Sequence, residues 1–141
     1  MIINFFEIYE GLDIRAIKGG IYQVELLKKG IDESLSLYIG ESEWVIERCG
    51  RHLYAFYDNP NYFGLTRNDL EDNNFILKFT LLKELKDKKS ILGVGKFKKV
   101  ELEYIKYKEP ITQLRTSDRQ IKDIKEKVDK VQDAMKKIGF K

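Results

Sequence analysis

Four side chains at fixed intervals are the part of this sequence most able to do chemistry. Gly20-Ile21-Tyr22 and Tyr38-Ile39-Gly40 form two short tyrosine-glycine triads. Arg48 follows eight residues after Gly40, and His52 follows four after that. A guanidinium keeps its proton throughout the accessible pH range, so Arg48 can act only through its charge, holding a phosphate in its planar fork. His52 is the only histidine, and an unperturbed imidazole titrates near neutral pH. The phenols of Tyr22 and Tyr38 have an ordinary pKa of about 10. Either would need a neighbouring cation or a metal-bound water to work as a base or proton relay. Hydrolysis of a phosphodiester asks for these roles: positive charge on the non-bridging oxygens, a proton acceptor for water and charge relief at the leaving oxygen.

Elements able to place these groups can be read from the pattern. Gly20 to Leu27 is rich in β-branched and aromatic residues and predicts a strand. Lys28 to Glu33 is polar around Gly30 and predicts a loop. Ser34 to Gly40 alternates Leu35, Leu37 and Ile39 with Ser34, Ser36 and Tyr38, a period of two. This pattern predicts a second strand, antiparallel to the first, with Tyr38 facing away from the leucines. Ser42 is placed to cap a helix in which Trp44, Arg48 and His52 recur every four residues, on one stripe. That helix should end near Tyr57, before the turn Asp58-Asn59-Pro60-Asn61. A loop with a short helix around Thr66 to Leu70 follows, then a third strand from Phe75 to Leu85. Lys86 to Gly95 predicts a charged loop and Lys96 to Lys108 a helix ended by Pro110. Ser117 and Gln120 have capping-box spacing. Ile121, Ile124, Val128, Val131, Met135 and Ile138 follow at heptad spacing up to Gly139, predicting a long C-terminal helix. Met1 to Lys18 fits either a short strand or a short helix.

The triads, with Arg48 and His52 in register, resemble the GIY-YIG nuclease family, whose name comes from those triads. Here 15 residues separate Tyr22 from Tyr38, and the length beyond the family's compact members falls in the hairpin loop. The family also places a glutamate four residues before an isoleucine on a later helix. Glu101-Leu102-Glu103-Tyr104-Ile105 matches, with Glu101 in that position. The resemblance spans roughly residues 20–113. It implies Tyr22, Tyr38, Arg48, His52 and Glu101 as catalytic residues, with Glu101 holding Mg²⁺ or Mn²⁺. Glu103 lies about 200° around the helix from Glu101 and should not share the ion. A family asparagine after this helix is matched, loosely, by Gln113.

The implied fold is α+β: a small three-stranded, mainly antiparallel sheet flanked by helices. The nuclease domain is expected over 1–116, and 117–141 as a basic amphipathic helix packed on it or at a dimer interface. The implied activity is a Mg²⁺-dependent DNA endonuclease of restriction, mobile-element or phage type. The partner is then DNA, with a homodimer if both strands are cut. Contacts to nucleic acid are expected from Arg48, Arg51, Lys96, Lys98, Lys99, Gln113 and Arg115. A non-catalytic DNA-binding module, a nuclease for branched DNA and a structural protein dimerising through the last helix are the alternatives.

Composition sets the outer bounds. A chain of 141 residues suits one domain with a modest core. Residues 1–95 carry a net charge of −3 and residues 96–141 a net of +6. Such segregation suits a nucleic-acid contact, although a solvated lysine-rich helix face would give the same count. One cysteine and one histidine exclude the usual structural zinc sets, so a metal here should be a hard cation on oxygen. The lone Cys49 fits a reducing cytoplasm, and no apolar run is long enough to span a membrane. Gly93-Val94-Gly95-Lys96 looks like a P-loop fragment but lacks the first glycine and the following Ser or Thr.

Overall fold

The computed structural model describes residues 1–9, 11–85, 96–114, 119–120 and 123–141; of 96, 114, 119 and 120 only the backbone is described. In chain order the strands are β1 (Ile2–Phe5), β2 (Glu7–Ile8), β3 (Gly11–Leu12), β4 (Gly20–Lys28), β5 (Ser34–Ser42), β6 (Phe75–Glu84), β7 (Gln113–Leu114) and β8 (Arg119–Gln120). The α-helices are α1 (Val45–Asp58), α2 (Arg67–Glu71), α3 (Lys96–Lys108) and α4 (Ile124–Lys137), and 3₁₀ turns cover Ile14–Ile17 and Pro60–Phe63.

The fold is α+β, built on a mixed four-stranded sheet in the order β1-β6-β4-β5. The expected hairpin and third strand are present: β4 pairs antiparallel with β5 and with β6. The sheet is larger than expected by one strand, because β1 adds to β6 in parallel, with Ile2 opposite Ile76 and Phe5 opposite Phe79. Its density of apolar residues hid it. Ile3 and Phe5 pack on one core while Phe6 turns into the same core at a positive φ of 52°, so no clean alternation survives.

β4 is central and is buried on both faces, which explains its near-continuous apolar run. Tyr22, Val24 and Leu26 face α1, the Pro60–Phe63 turn and α4, in a core with Val45, Cys49, Phe56, Phe63, Phe79, Val131 and Met135. Ile21 faces the other way, with Ile39, Leu85, Phe97 and Ile105 under α3. The edge of β5 is covered by the segment after α3: Ile111 and Thr112 donate their N–H groups to the carbonyls of Ser36 and Leu37.

Two helix starts differ from the sequence reading. The residue preceding α1 is Trp44, without a side-chain cap, and Ser42 instead accepts the Trp44 N–H at 3.0 Å from the end of β5. α4 begins at Ile124, with Asp123 accepting the Glu126 N–H at 3.2 Å. Gln120, the proposed end of a capping box, is extended and paired with Gln113; Ser117 lies outside the described residues. α4 packs on the domain's own core through Lys127, Val131 and Met135. Gly64, in the left-handed region at φ 75°, lies under it: a Cβ there would be 2.5 Å from Val131. α2 starts as expected, on a Thr66–Asp69 capping box.

Candidate active site

The hairpin brings the two tyrosines to one face by an irregularity that the sequence pattern conceals. Val24 pairs with Tyr38 but Glu25 pairs with Ser36, so Leu37 is an extra residue, a β-bulge. The bulge resets the alternation. Tyr38 therefore faces the same core as Leu35 and Leu37, not the opposite side as period two predicts, while Ile39 turns towards α3. Residues directly opposite in an antiparallel pair share a face, so Tyr38 follows Val24 and lies beside Tyr22, with ring centroids 6.1 Å apart.

Gly40 is opposite Tyr22 in the ladder. A Cβ at Gly40 would collide with the Tyr22 hydroxyl and would lie 2.8 Å from the Tyr38 ring. The glycine of the second triad is thus the space that the phenol of the first triad occupies.

α1 presents His52 to this pair. His52 Nε2 lies 2.7 Å from the Tyr22 hydroxyl, and the imidazole is 5.3 Å from the Tyr38 ring, centroid to centroid. Its other nitrogen, Nδ1, is 2.6 Å from the hydroxyl of Tyr62, on the 3₁₀ turn after α1. Burial, then the charges of Arg48 and Lys127, push the His52 pKa down to about 4. The imidazole is therefore neutral at pH 7, not poised near neutrality as an isolated histidine would be. The phenols move the other way. Burial, chiefly, raises Tyr38 to about 12 and Tyr22 further, with Arg48 opposing both shifts.

Arg48 is exposed, and its guanidinium forms no ion pair among the described residues. It lines a polar cleft of about 170 Å³ with Glu41, Ser42, Glu43, Trp44 and Glu47. Its charge acts on Tyr22, Tyr38, His52 and Tyr62. A larger and mostly apolar cleft of about 720 Å³, lined by Met1, Ile3, Leu53, Phe56, Tyr57 and Leu70 among others, contains none of these site residues.

Glu101 reaches the region from α3, on the other face of the sheet. It is buried, and its Oε1 is 2.6 Å from Lys98 Nζ. Burial raises its pKa, Lys98 opposes that, and the Glu41 carboxylate adds to it. α3 packs on the sheet face opposite the tyrosine–histidine cluster, and the charge of Glu101 acts on Tyr38. Glu103 is exposed, in keeping with its different helix face. The donor chemistry suits a hard cation: Glu101 supplies carboxylate oxygen, and the neighbouring Glu41 has one buried carboxylate oxygen without a hydrogen-bond partner. Among the described residues no three His, Cys, Asp or Glu side chains converge, so most ligands of such an ion would be water and phosphate.

The remaining expected contacts are scattered. Arg51 pairs with Glu47 at 2.6 Å, Lys98 is held by Glu101, and Lys99 is exposed. Gln113 is occupied at both ends of its amide, accepting the Ile39 N–H at 3.1 Å and donating to the Ile39 carbonyl at 2.9 Å. It extends the edge of β5, and its amide is committed to backbone instead of facing a ligand. The side chain of Lys96 and all of Arg115 lie outside the described residues. Sequence reasoning missed Tyr62 and Lys127. Tyr62 stands in a polar segment with no periodicity; only the Asn59-Pro60-Asn61 turn hints that the chain doubles back along α1.

No protein-family model matches the chain, and no curated protein or solved structure matches it.

Proposed function

We propose that this chain is a Mg²⁺-dependent endonuclease of the GIY-YIG type that hydrolyses phosphodiester bonds in DNA. One observation carries the reading: Tyr22 and His52, joined by a 2.7 Å contact, cluster with Tyr38, and the charge of Arg48, which has no ion-pair partner among the described residues, acts on all three. Packing alone gives no reason to keep a guanidinium that forms no ion pair among the described residues beside phenols whose ionised form it favours.

Arg48 would grip the non-bridging oxygens of the scissile phosphate and stabilise the charge that grows there as water attacks. Tyr38, on the edge strand, would take the proton from that water; its pKa of about 12 must fall for this, and both Tyr22 and Arg48 pull it down. Tyr22 and neutral His52 would hold Tyr38 and pass a proton between them. Glu101 would hold the Mg²⁺, which when bound supplies positive charge to the phosphate oxygens. Lys98 would have to release Glu101 for this.

The test is cleavage of supercoiled plasmid in Mg²⁺ against EDTA. Arg48→Ala should lower the rate by roughly 10²–10³-fold, with its melting midpoint unchanged because the side chain is exposed. Cutting that persists in EDTA or in Glu101→Ala would overturn the metal assignment. The Lys98–Glu101 ion pair supports a second reading, a DNA-binding module whose metal carboxylate is already neutralised. Binding of the same plasmid without cutting would select that one.

A further inference from the structure

His52 is the single histidine of the chain, and phenols take both of its ring nitrogens. A neutral imidazole carries one proton, so the ring donates in one of these contacts and accepts in the other. The position of the Tyr62 hydroxyl is closely fixed. Its ring packs edge-on against Phe63 at 4.9 Å, Lys127 Nζ from α4 sits 5.3 Å over the ring, and the same ammonium donates to the Tyr62 carbonyl at 3.0 Å. Among the described residues the only hydrogen-bond partner of that hydroxyl is His52 Nδ1. The Tyr22 hydroxyl, in contrast, meets His52, and its ring lies beside that of Tyr38, centroids 6.1 Å apart.

We propose that Tyr62 is a positioning residue that donates its phenol proton to Nδ1 and thereby holds His52 as the Nε2–H tautomer. Nε2–H then donates to the Tyr22 oxygen, and the Tyr22 proton is free to point at the Tyr38 oxygen. Every hydrogen bond in this row of four then runs towards Tyr38, the phenol on which the charge of Glu101 acts. A hydrogen bond received there favours the phenolate. The opposite order would turn the Tyr38 proton inwards and leave its phenolate without a donor. Lys127 ties the device to α4, so the C-terminal helix reaches the histidine through one aromatic ring. Around the imidazole stand Tyr22 from β4, Tyr38 from β5, Tyr62 from the turn, Lys127 from α4, and Arg48 and Cys49 from its own helix. The catalytic consequence rests on the nuclease reading above; the tautomer does not.

Because there is one histidine, ¹⁵N-histidine labelling gives a single imidazole in a long-range ¹H–¹⁵N spectrum. At pH 7 the intact protein should show a protonated Nε2 and a bare Nδ1. In Tyr62→Phe the two nitrogen signals should move towards each other as both tautomers populate. The midpoint of imidazole protonation should rise, since Nδ1 loses its donor. A proton found on Nδ1 in the unmodified protein overturns the proposal, and needs no variant to fold. A Tyr62→Phe spectrum identical to that of the parent overturns it too. Where the parent cuts DNA, Tyr62→Phe should lower kcat on the order of 10-fold with little change in KM; an unchanged kcat removes the positioning role. A parent that never cuts defeats the nuclease reading, while the spectra still decide the tautomer.

Discussion

At the scale of single residues, Gly40 and His52 show how closely the site is tied to packing. Gly40 exists to make room for a phenol, so Gly40→Ala should displace Tyr22 and break its contact with His52. The expected cost is roughly 1–3 kcal/mol, read from urea melts. His52 sets a pH dependence. Its folded pKa of about 4 lies below the value of 6.5 expected when unfolded. Between those values the unfolded chain binds a proton that the folded chain refuses, so stability falls as pH drops from 6.5 to about 4. The loss approaches about 3 kcal/mol. Melts across that range should slope upward with pH, and His52→Gln should flatten the slope. The types and order of Tyr22, Tyr38, Arg48 and His52 were legible in the sequence because each is a rare group at a fixed interval. Their protonation was not, because burial, the first cause of each shift, is supplied by elements far apart along the chain, as is the charge of Lys127.

At the scale of elements, β5 and α4 carry the lessons. Period two assigned Tyr38 to the wrong face because a bulge leaves no mark in polarity: Leu37 and Ile39 are both apolar, yet they belong to different cores. The start of α4 was misplaced for a related reason. A capping box is a local pattern, and the pairing of Gln120 with Gln113 overrides it. The helix itself was legible from its heptad spacing, and Val131 and Met135 spend that apolar seam inside the domain. Its docking depends on Asp69, buried under the end of the chain. Burial alone would raise the Asp69 pKa, but hydrogen bonds from Lys141, the Thr66 N–H and Gln132 bring it below the ordinary carboxylate value. A carboxylate with a lowered folded pKa stabilises the fold above its unfolded pKa and stops doing so as pH falls through the folded value. Asp69→Asn should therefore cost about 1–3 kcal/mol at pH 7. The difference between variant and parent should shrink below a pH of about 3.8, as equilibrium denaturation at the two pH values would show.

At the scale of the whole molecule, charge and topology divide the work. The net −3 of residues 1–95 and net +6 of 96–141 meet in one domain, since α3 and α4 cover opposite faces of the same sheet. Among the described residues no helix is long and apolar enough to cross a membrane. If the chain binds DNA, affinity should fall steeply with salt. Arg48→Ala should lessen the log–log slope by about one, measured by fluorescence anisotropy between 50 and 200 mM salt. An unchanged slope would take Arg48 off the phosphate. Fold class was legible from alternating periods of two and 3.6, but the number of strands was not, because a parallel edge strand announces no partner. That strand has a kinetic corollary. Ile2 waits for Ile76 and Phe5 for Phe79, so β1 is made well before the strand it pairs with. This long-range pairing should slow refolding, and during synthesis β1 must remain unmated until β6 has left the ribosome.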